Sequence, residues 1–234
     1  MKNKSIPDNH SVSPYKKEKS VSLMDVKPKH IYKVAVVGDT GVGKTSYIQS
    51  YVNGFPLMAM GSTLGVNFHT LYVDVDSDIS KVNIWDTAGQ DRFKSIIKLY
   101  LKNIHGIVII YDVHVQDCKA YLESWYEVVK EENPNIYICV ACNKCDEFCK
   151  ANNEQRLKFE KNISIGETFC ETHELSFFTM SVSTYENVVD VMNYLIFEIE
   201  TNPKNIDLMP MTYRSNSVEF RKKRERENTG GYCC

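Results

Sequence analysis

Three unbroken apolar runs stand out along the chain. Ile31-Tyr32-Lys33-Val34-Ala35-Val36-Val37 ends at Gly38, Gly106–Asp112 contains Ile107-Val108-Ile109-Ile110-Tyr111, and Ile136–Cys142 is the third. Short runs rich in β-branched residues predict buried strands. Their lack of polar alternation suits a parallel sheet covered on both faces. Asn67–Val75 and Lys81–Trp85 flank Asp76-Ser77-Asp78 and predict a hairpin, which adds one antiparallel edge strand. Helical spacing relates Tyr121, Leu122, Trp125, Val128 and Val129, and again Val188, Val191, Met192, Leu195, Ile196 and Ile199. Strands alternating with amphipathic helices predict an α/β fold with right-handed crossovers.

The pattern fails at both ends. Residues 1–30 are polar and lysine-rich, with Pro7, Pro14 and Pro28 as breakers, and read as a flexible basic arm. Beyond Glu200 come Pro203 and Pro210, a basic run from Arg221 to Arg226, and a terminal Cys233-Cys234. The expected organisation is an arm (1–30), one domain (31–200) and a flexible tail (201–234). No internal repeat is present.

Composition narrows the class. Of 234 residues, 43% are hydrophobic and 25% charged, which excludes a collagen-like, wholly disordered or multi-span membrane protein. The net charge of −2 argues against a general nucleic-acid binder. That figure averages unlike regions: 7 Lys+Arg against 3 Asp+Glu in the arm, 14 against 23 in the domain, and 7 against 4 in the tail. Eight cysteines with no apolar leader in the first thirty residues predict reduced thiols. The longest apolar stretch, Gly106–Val113, is far short of a membrane span.

The strongest chemical signal is Gly38-Asp39-Thr40-Gly41-Val42-Gly43-Lys44-Thr45, a G-x-x-x-x-G-K-[ST] loop between a predicted strand and a predicted helix, Ser46–Val52. Glycines let backbone N–H groups turn inward around phosphate oxygens, and the helix N-terminus adds partial positive charge. Lys44 is expected to reach the β- and γ-phosphates and Thr45 to coordinate Mg²⁺. Gly41, Val42, Gly43 and Ser46 complete the cradle.

Two later motifs select the nucleotide. Trp85-Asp86-Thr87-Ala88-Gly89-Gln90 closes a strand. Asp86 there can hold Mg²⁺ through water, Gly89 N–H can contact a γ-phosphate, and Gln90 can orient an attacking water. Asn143-Lys144-Cys145-Asp146 follows the third apolar run. The Asp146 carboxylate can accept from guanine N1–H and N2–H₂, a donor pair that adenine lacks, so GTP is favoured over ATP.

These motifs, in this order, resemble the Ras superfamily of small GTPases, and specifically the Rab family, over Ile31 to Glu200. Leu64-Gly65-Val66-Asn67-Phe68 resembles the Rab segment after switch I, and Lys81–Phe93 resembles the switch II signature. The resemblance implies a P-loop NTPase G domain. Such a domain is α/β, with a mostly parallel six-stranded sheet, one antiparallel edge strand and helices on both faces. It implies a GTP hydrolase that cycles with GDP and uses Mg²⁺. Thr63, nineteen residues beyond Lys44, would sense the γ-phosphate and complete the metal shell. Phe68, Trp85 and Tyr100 would form the aromatic triad read by effectors; as a bland alternative, the three are core residues. Ser181-Val182-Ser183 stands for the last guanine motif, with Val182 N–H serving the base. The implied partners are an activating protein, an exchange factor, an escort or GDI protein, and effectors in vesicle trafficking; a monomer without nucleic acid is expected. Cys233 and Cys234 resemble a double geranylgeranylation site. Two lipid chains give a stable anchor where one is marginal, and the basic run adds about 1 kcal/mol per residue near an anionic surface. That places the protein on the cytoplasmic face of an endomembrane, with a cytosolic escorted pool.

Several positions depart from the family pattern. Pro56 replaces the aromatic expected twelve residues past Lys44, with Phe55 beside it; Ser183 replaces a lysine; Lys102-Asn103-Ile104 replaces R-G-A; and Ala151–Lys161 is extra. Thr40 puts a β-branched side chain where it would crowd Gln90, so slow intrinsic hydrolysis is expected. A slow or non-hydrolysing GTP-binding scaffold is the nearer alternative. The remote one rests on Cys139, Cys142, Cys145 and Cys149, whose C-x₂-C-x₂-C-x₃-C spacing is that of an iron–sulfur electron-transfer protein. Cys139 and Cys142, three apart on a strand, should face opposite ways.

Overall fold

The computed structural model describes residues 28–58, 61, 66–75, 78–87, 101 and 104–201. Its first strand, β1 (His30–Val37), leads through a glycine-rich turn into α1 (Lys44–Asn53). The chain continues through β2 (Val66–Val75), β3 (Asp78–Thr87), β4 (Gly106–Asp112), α2 (Cys118–Glu132) and β5 (Tyr137–Asn143). A 3₁₀ turn (Cys145–Lys150), α3 (Asn153–Thr172), β6 (Ser176–Thr179) and α4 (Val188–Thr201) complete it.

The six strands form one sheet in the order β2-β3-β1-β4-β5-β6. Only β2 and β3 pair antiparallel, with Phe68 opposite Trp85 and Asn67 opposite Asp86; the remaining pairs are parallel. The α/β architecture expected from the apolar runs is therefore present, antiparallel edge included. Side chains alternate across a strand, so each unbroken apolar run feeds two cores. Val34, Val36, Val108 and Ile110 pack with Tyr47 and Ile48 of α1 and Val191, Leu195 and Ile199 of α4. Ala35, Val37, Ile107 and Ile109 pack with Leu122, Trp125 and Val129 of α2 and Phe159 and Ile163 of α3. Full burial of each such aliphatic side chain contributes roughly 1.5–3 kcal/mol.

Boundaries moved slightly from expectation. β1 begins at His30, and Lys29 N–H donates to the Ile79 carbonyl at 2.8 Å. β3 takes up Asp78, which the pattern assigned to the turn, and β5 is displaced by one residue. Helix α1 starts two residues early, at Lys44, because Gly43 in the left-handed conformation ends the loop there. The extra charged stretch Ala151–Lys161 is the cap and N-terminal half of α3. Its start is a reciprocal cap: Asn152 accepts from Gln155 N–H at 2.9 Å, and the Gln155 side chain accepts from Asn152 N–H at 3.0 Å. Among the described residues no helix is long and apolar enough to cross a membrane.

Parallel strands β1, β3, β4 and β5 all finish at one edge of the sheet. The chain leaves β1 toward β3 on one side and later toward β4 on the other. Such a switch point is where open α/β sheets place a ligand crevice. Gly38, Asp86, Asp112 and Asn143 meet there.

Candidate functional site

The loop between β1 and α1 has a shape only its own sequence allows. Gly38, Gly41 and Gly43 hold φ values of 143°, 86° and 98°. At Gly43 a side chain is excluded twice, by the left-handed φ and because a Cβ would lie 2.5 Å from Asn143 Nδ2. Lys44, the first residue of α1, is 5% exposed, and its Nζ donates to the Asp39 carbonyl at 2.8 Å. Burial lowers its pKa from 10.5 to about 8, against the pull of Asp86 and Asp39. A desolvated ammonium at a helix N-terminus is a receptor for an anion. Ser46 is buried behind it, and Thr40 is exposed on the loop.

Thr45 Oγ1 donates to Asp86 Oδ2 at 2.7 Å. Asp86 is fully buried and, among the described residues, its other oxygen, Oδ1, lacks a partner at hydrogen-bond geometry, with Asn67, opposite it on β2, a polar influence on the carboxylate. Burial raises its pKa, while the bond from Thr45 and the charge of Lys44 oppose the rise. An unpaired buried carboxylate oxygen beside a hydroxyl fits a hard divalent cation. Mg²⁺ takes one or two protein oxygens and completes its shell with water and phosphate. Thr45 and Asp86 are the residues that would hold it.

The second half of the site is built on β5. Asn143 Nδ2 donates to the Val42 carbonyl at 2.8 Å, and its Oδ1 accepts from Val182 N–H at 3.2 Å. The Val182 N–H, the donor expected for the base, is directed at this buried amide oxygen in the structure. Lys144 takes a left-handed φ of 66° and its Nζ lies 2.7 Å from Asp112 Oδ2. Asp146 Oδ1 accepts from Ser181 Oγ at 2.7 Å. Burial would raise the Asp146 pKa, but hydrogen bonds from Ser183 and Ser181 outweigh it and hold the carboxyl below its usual range. Asp146 is thus an ionised acceptor, positioned by two serines.

Phe68 and Trp85 meet edge to face at 5.1 Å. Phe68 is 54% exposed, whereas Trp85 packs on the core beneath. The bland reading of these aromatics as core therefore fails for Phe68. Thr63, Gly89, Gln90, Tyr100, Cys233 and Cys234 lie outside the described residues.

The cysteine run does not assemble. Cys139 belongs to one core and Cys142 to the other, while Cys149 is exposed. One cluster cannot reach thiols on opposite faces of a sheet.

Asp39, Tyr121, Trp125, Asp112 and Ser183 join the site without having been singled out for it. Tyr121 and Trp125 were legible only as members of a helical apolar face. Ser183 showed itself only as a missing lysine. The family model described as the Ras family matches residues 33–201 of the chain.

Proposed function

The chain belongs to the Ras family, and we propose that within this family of small GTPases it is a Rab-like, membrane-anchored switch in vesicle trafficking. Membership implies guanine-nucleotide binding and GTP hydrolysis, which are general in the family. The observation that carries the guanine-nucleotide part of this reading is the Asn143 bridge from the phosphate loop to the loop that holds Asp146. It joins a phosphate cradle to a carboxylate that suits the guanine edge. The Rab-like part rests on the sequence resemblance and the terminal Cys233-Cys234.

The chain's residues divide the work. Lys44 and the turned-in amides of 41–45 hold the β- and γ-phosphates. Asp146 accepts from guanine N1–H and N2–H₂, and Lys144 is held beside the site by Asp112. Thr45 and Asp86 hold Mg²⁺, which neutralises phosphate charge when bound. Gln90 orients the attacking water, and Thr63 and Gly89 sense the γ-phosphate. With Thr40 on the loop, hydrolysis is slow until an activating protein supplies the stabilising charge. Effectors read the exposed Phe68 with Trp85 and Tyr100, an exchange factor reloads the site, and an escort or GDI protein carries the doubly prenylated form. Cys233 and Cys234 bear the lipids, and the basic run favours the anionic cytoplasmic face of an endomembrane.

The test is GTP turnover by the purified chain with and without Mg²⁺, beside imaging of a tagged form. Slow, metal-dependent hydrolysis and endomembrane residence support the reading; diffuse distribution of an intact, prenylated chain contradicts the trafficking role. A non-hydrolysing scaffold is the second reading, favoured by Thr40, and absence of turnover even with activating proteins would establish it.

A further inference from the structure

Asp39 is held through three different groups. Its N–H donates to Tyr121 Oη at 2.8 Å, its Oδ1 accepts from Trp125 Nε1 at 3.0 Å, and its carbonyl accepts from Lys44 Nζ at 2.8 Å. Tyr121 Oη in turn donates to the Ile110 carbonyl of β4 at 2.7 Å. One phenol hydroxyl therefore uses its proton on the sheet and a lone pair on the phosphate loop. The fit is tight: a Cβ on Gly38 would lie 2.8 Å from Tyr121 Oη and overlap the Ile110 carbonyl.

We propose that Tyr121 and Trp125 of α2 are positioning residues for the phosphate site, which hold Asp39 so that its carbonyl fixes Lys44, and thereby set how long a nucleotide stays bound. The inference rests on the guanine-nucleotide reading above and deepens it. Lys44 has a long, flexible stem, and its ammonium needs a fixed acceptor on the protein side to stand ready for phosphate. That acceptor is Asp39, and among the described residues its other two hydrogen bonds come from one helical turn of α2. Burial, followed by the nearby Asp39 charge, raises the Tyr121 pKa, so the hydroxyl stays protonated and keeps both roles.

The experiment follows release of a fluorescent GDP analogue from the full chain under excess GTP. Tyr121→Phe removes only the hydroxyl and leaves Asp39 N–H without its acceptor. Release about tenfold faster than wild type is expected, the cost of one such orphaned group. Tyr111→Phe is the control. It loses a comparable buried phenol bond, to the Asn162 carbonyl at 3.0 Å, without touching Asp39. It should lower the melting temperature and leave release unchanged. Asp39→Ala, which removes the Trp125 acceptor, should also speed release and carries the test if Tyr121→Phe does not fold. Wild-type release from both Asp39-linked variants, or equal acceleration by Tyr111→Phe, overturns the proposal. A wild-type chain that fails to retain GDP at all overturns the guanine-nucleotide reading instead.

Discussion

Asn143 Nδ2 reaches across 101 residues of sequence to the Val42 carbonyl at 2.8 Å. The phosphate loop and the base loop are therefore one hydrogen-bonded unit, closed by Val182 N–H on the amide's other end. Asn143 is 2% exposed, so water cannot replace either bond.

Asn143→Ala leaves a carbonyl and an N–H buried without partners, at a cost of about 1–3 kcal/mol each. GDP affinity and thermal stability should fall together. Calorimetric titration and a melting curve check this; unchanged affinity would show that the two loops are independent.

Asp146→Asn replaces a carboxylate acceptor with an amide that also donates. Against guanine it loses charge-assisted bonds worth about 1.5–3 kcal/mol each, so GTP should bind roughly a hundredfold more weakly. Xanthine presents a C2 carbonyl where guanine has its amine, and that carbonyl suits the new donor. The variant should therefore prefer xanthosine triphosphate, measured by competition. Retained guanine preference would place base reading elsewhere.

His105 supplies a pH signature of the fold. Its Nδ1 accepts from Lys33 N–H at 3.0 Å, and burial, followed by the Lys33 charge, lowers its pKa below 6.5. Between the lowered value and 6.5 the unfolded chain binds a proton that the folded one refuses. Stability is therefore full above 6.5 and is lost as pH falls through the folded pKa. In urea titrations from pH 7 downward, His105→Asn should flatten this fall while keeping an acceptor for Lys33.

Cys233→Ser with Cys234→Ser should move the protein from membranes to cytosol in a fractionation experiment. One chain alone gives marginal binding, so each single variant should show partial loss. Unchanged membrane residence of the double variant contradicts the lipid anchor.

Much of this was readable in the sequence because the signals were local. The apolar runs from Ile31, Gly106 and Ile136 show their strand character without a partner, and a loop of fixed glycine spacing announces its own geometry. Helix α1 begins two residues before its pattern predicts, because the left-handed Gly43 that caps it leaves no hydrophobic trace. The Ala151–Lys161 stretch had no role until the Asn152–Gln155 cap showed it to be helix. What stayed hidden depends on long-range contact. Tyr121 and Trp125 look like any apolar helix positions until the fold sets them 82 and 86 residues away on Asp39. Ser183 likewise replaces the absent lysine's charge with a hydrogen bond that only the folded Asp146 loop reveals.

The most direct measurement titrates the nucleotide-free chain with GDP and with ADP in the presence of Mg²⁺. Loss of the two bonds to Asp146 should make ADP bind at least roughly a hundredfold more weakly than GDP. Equal affinity for the two would contradict the assignment of Asp146 as the guanine reader and, with it, the site built around Asn143.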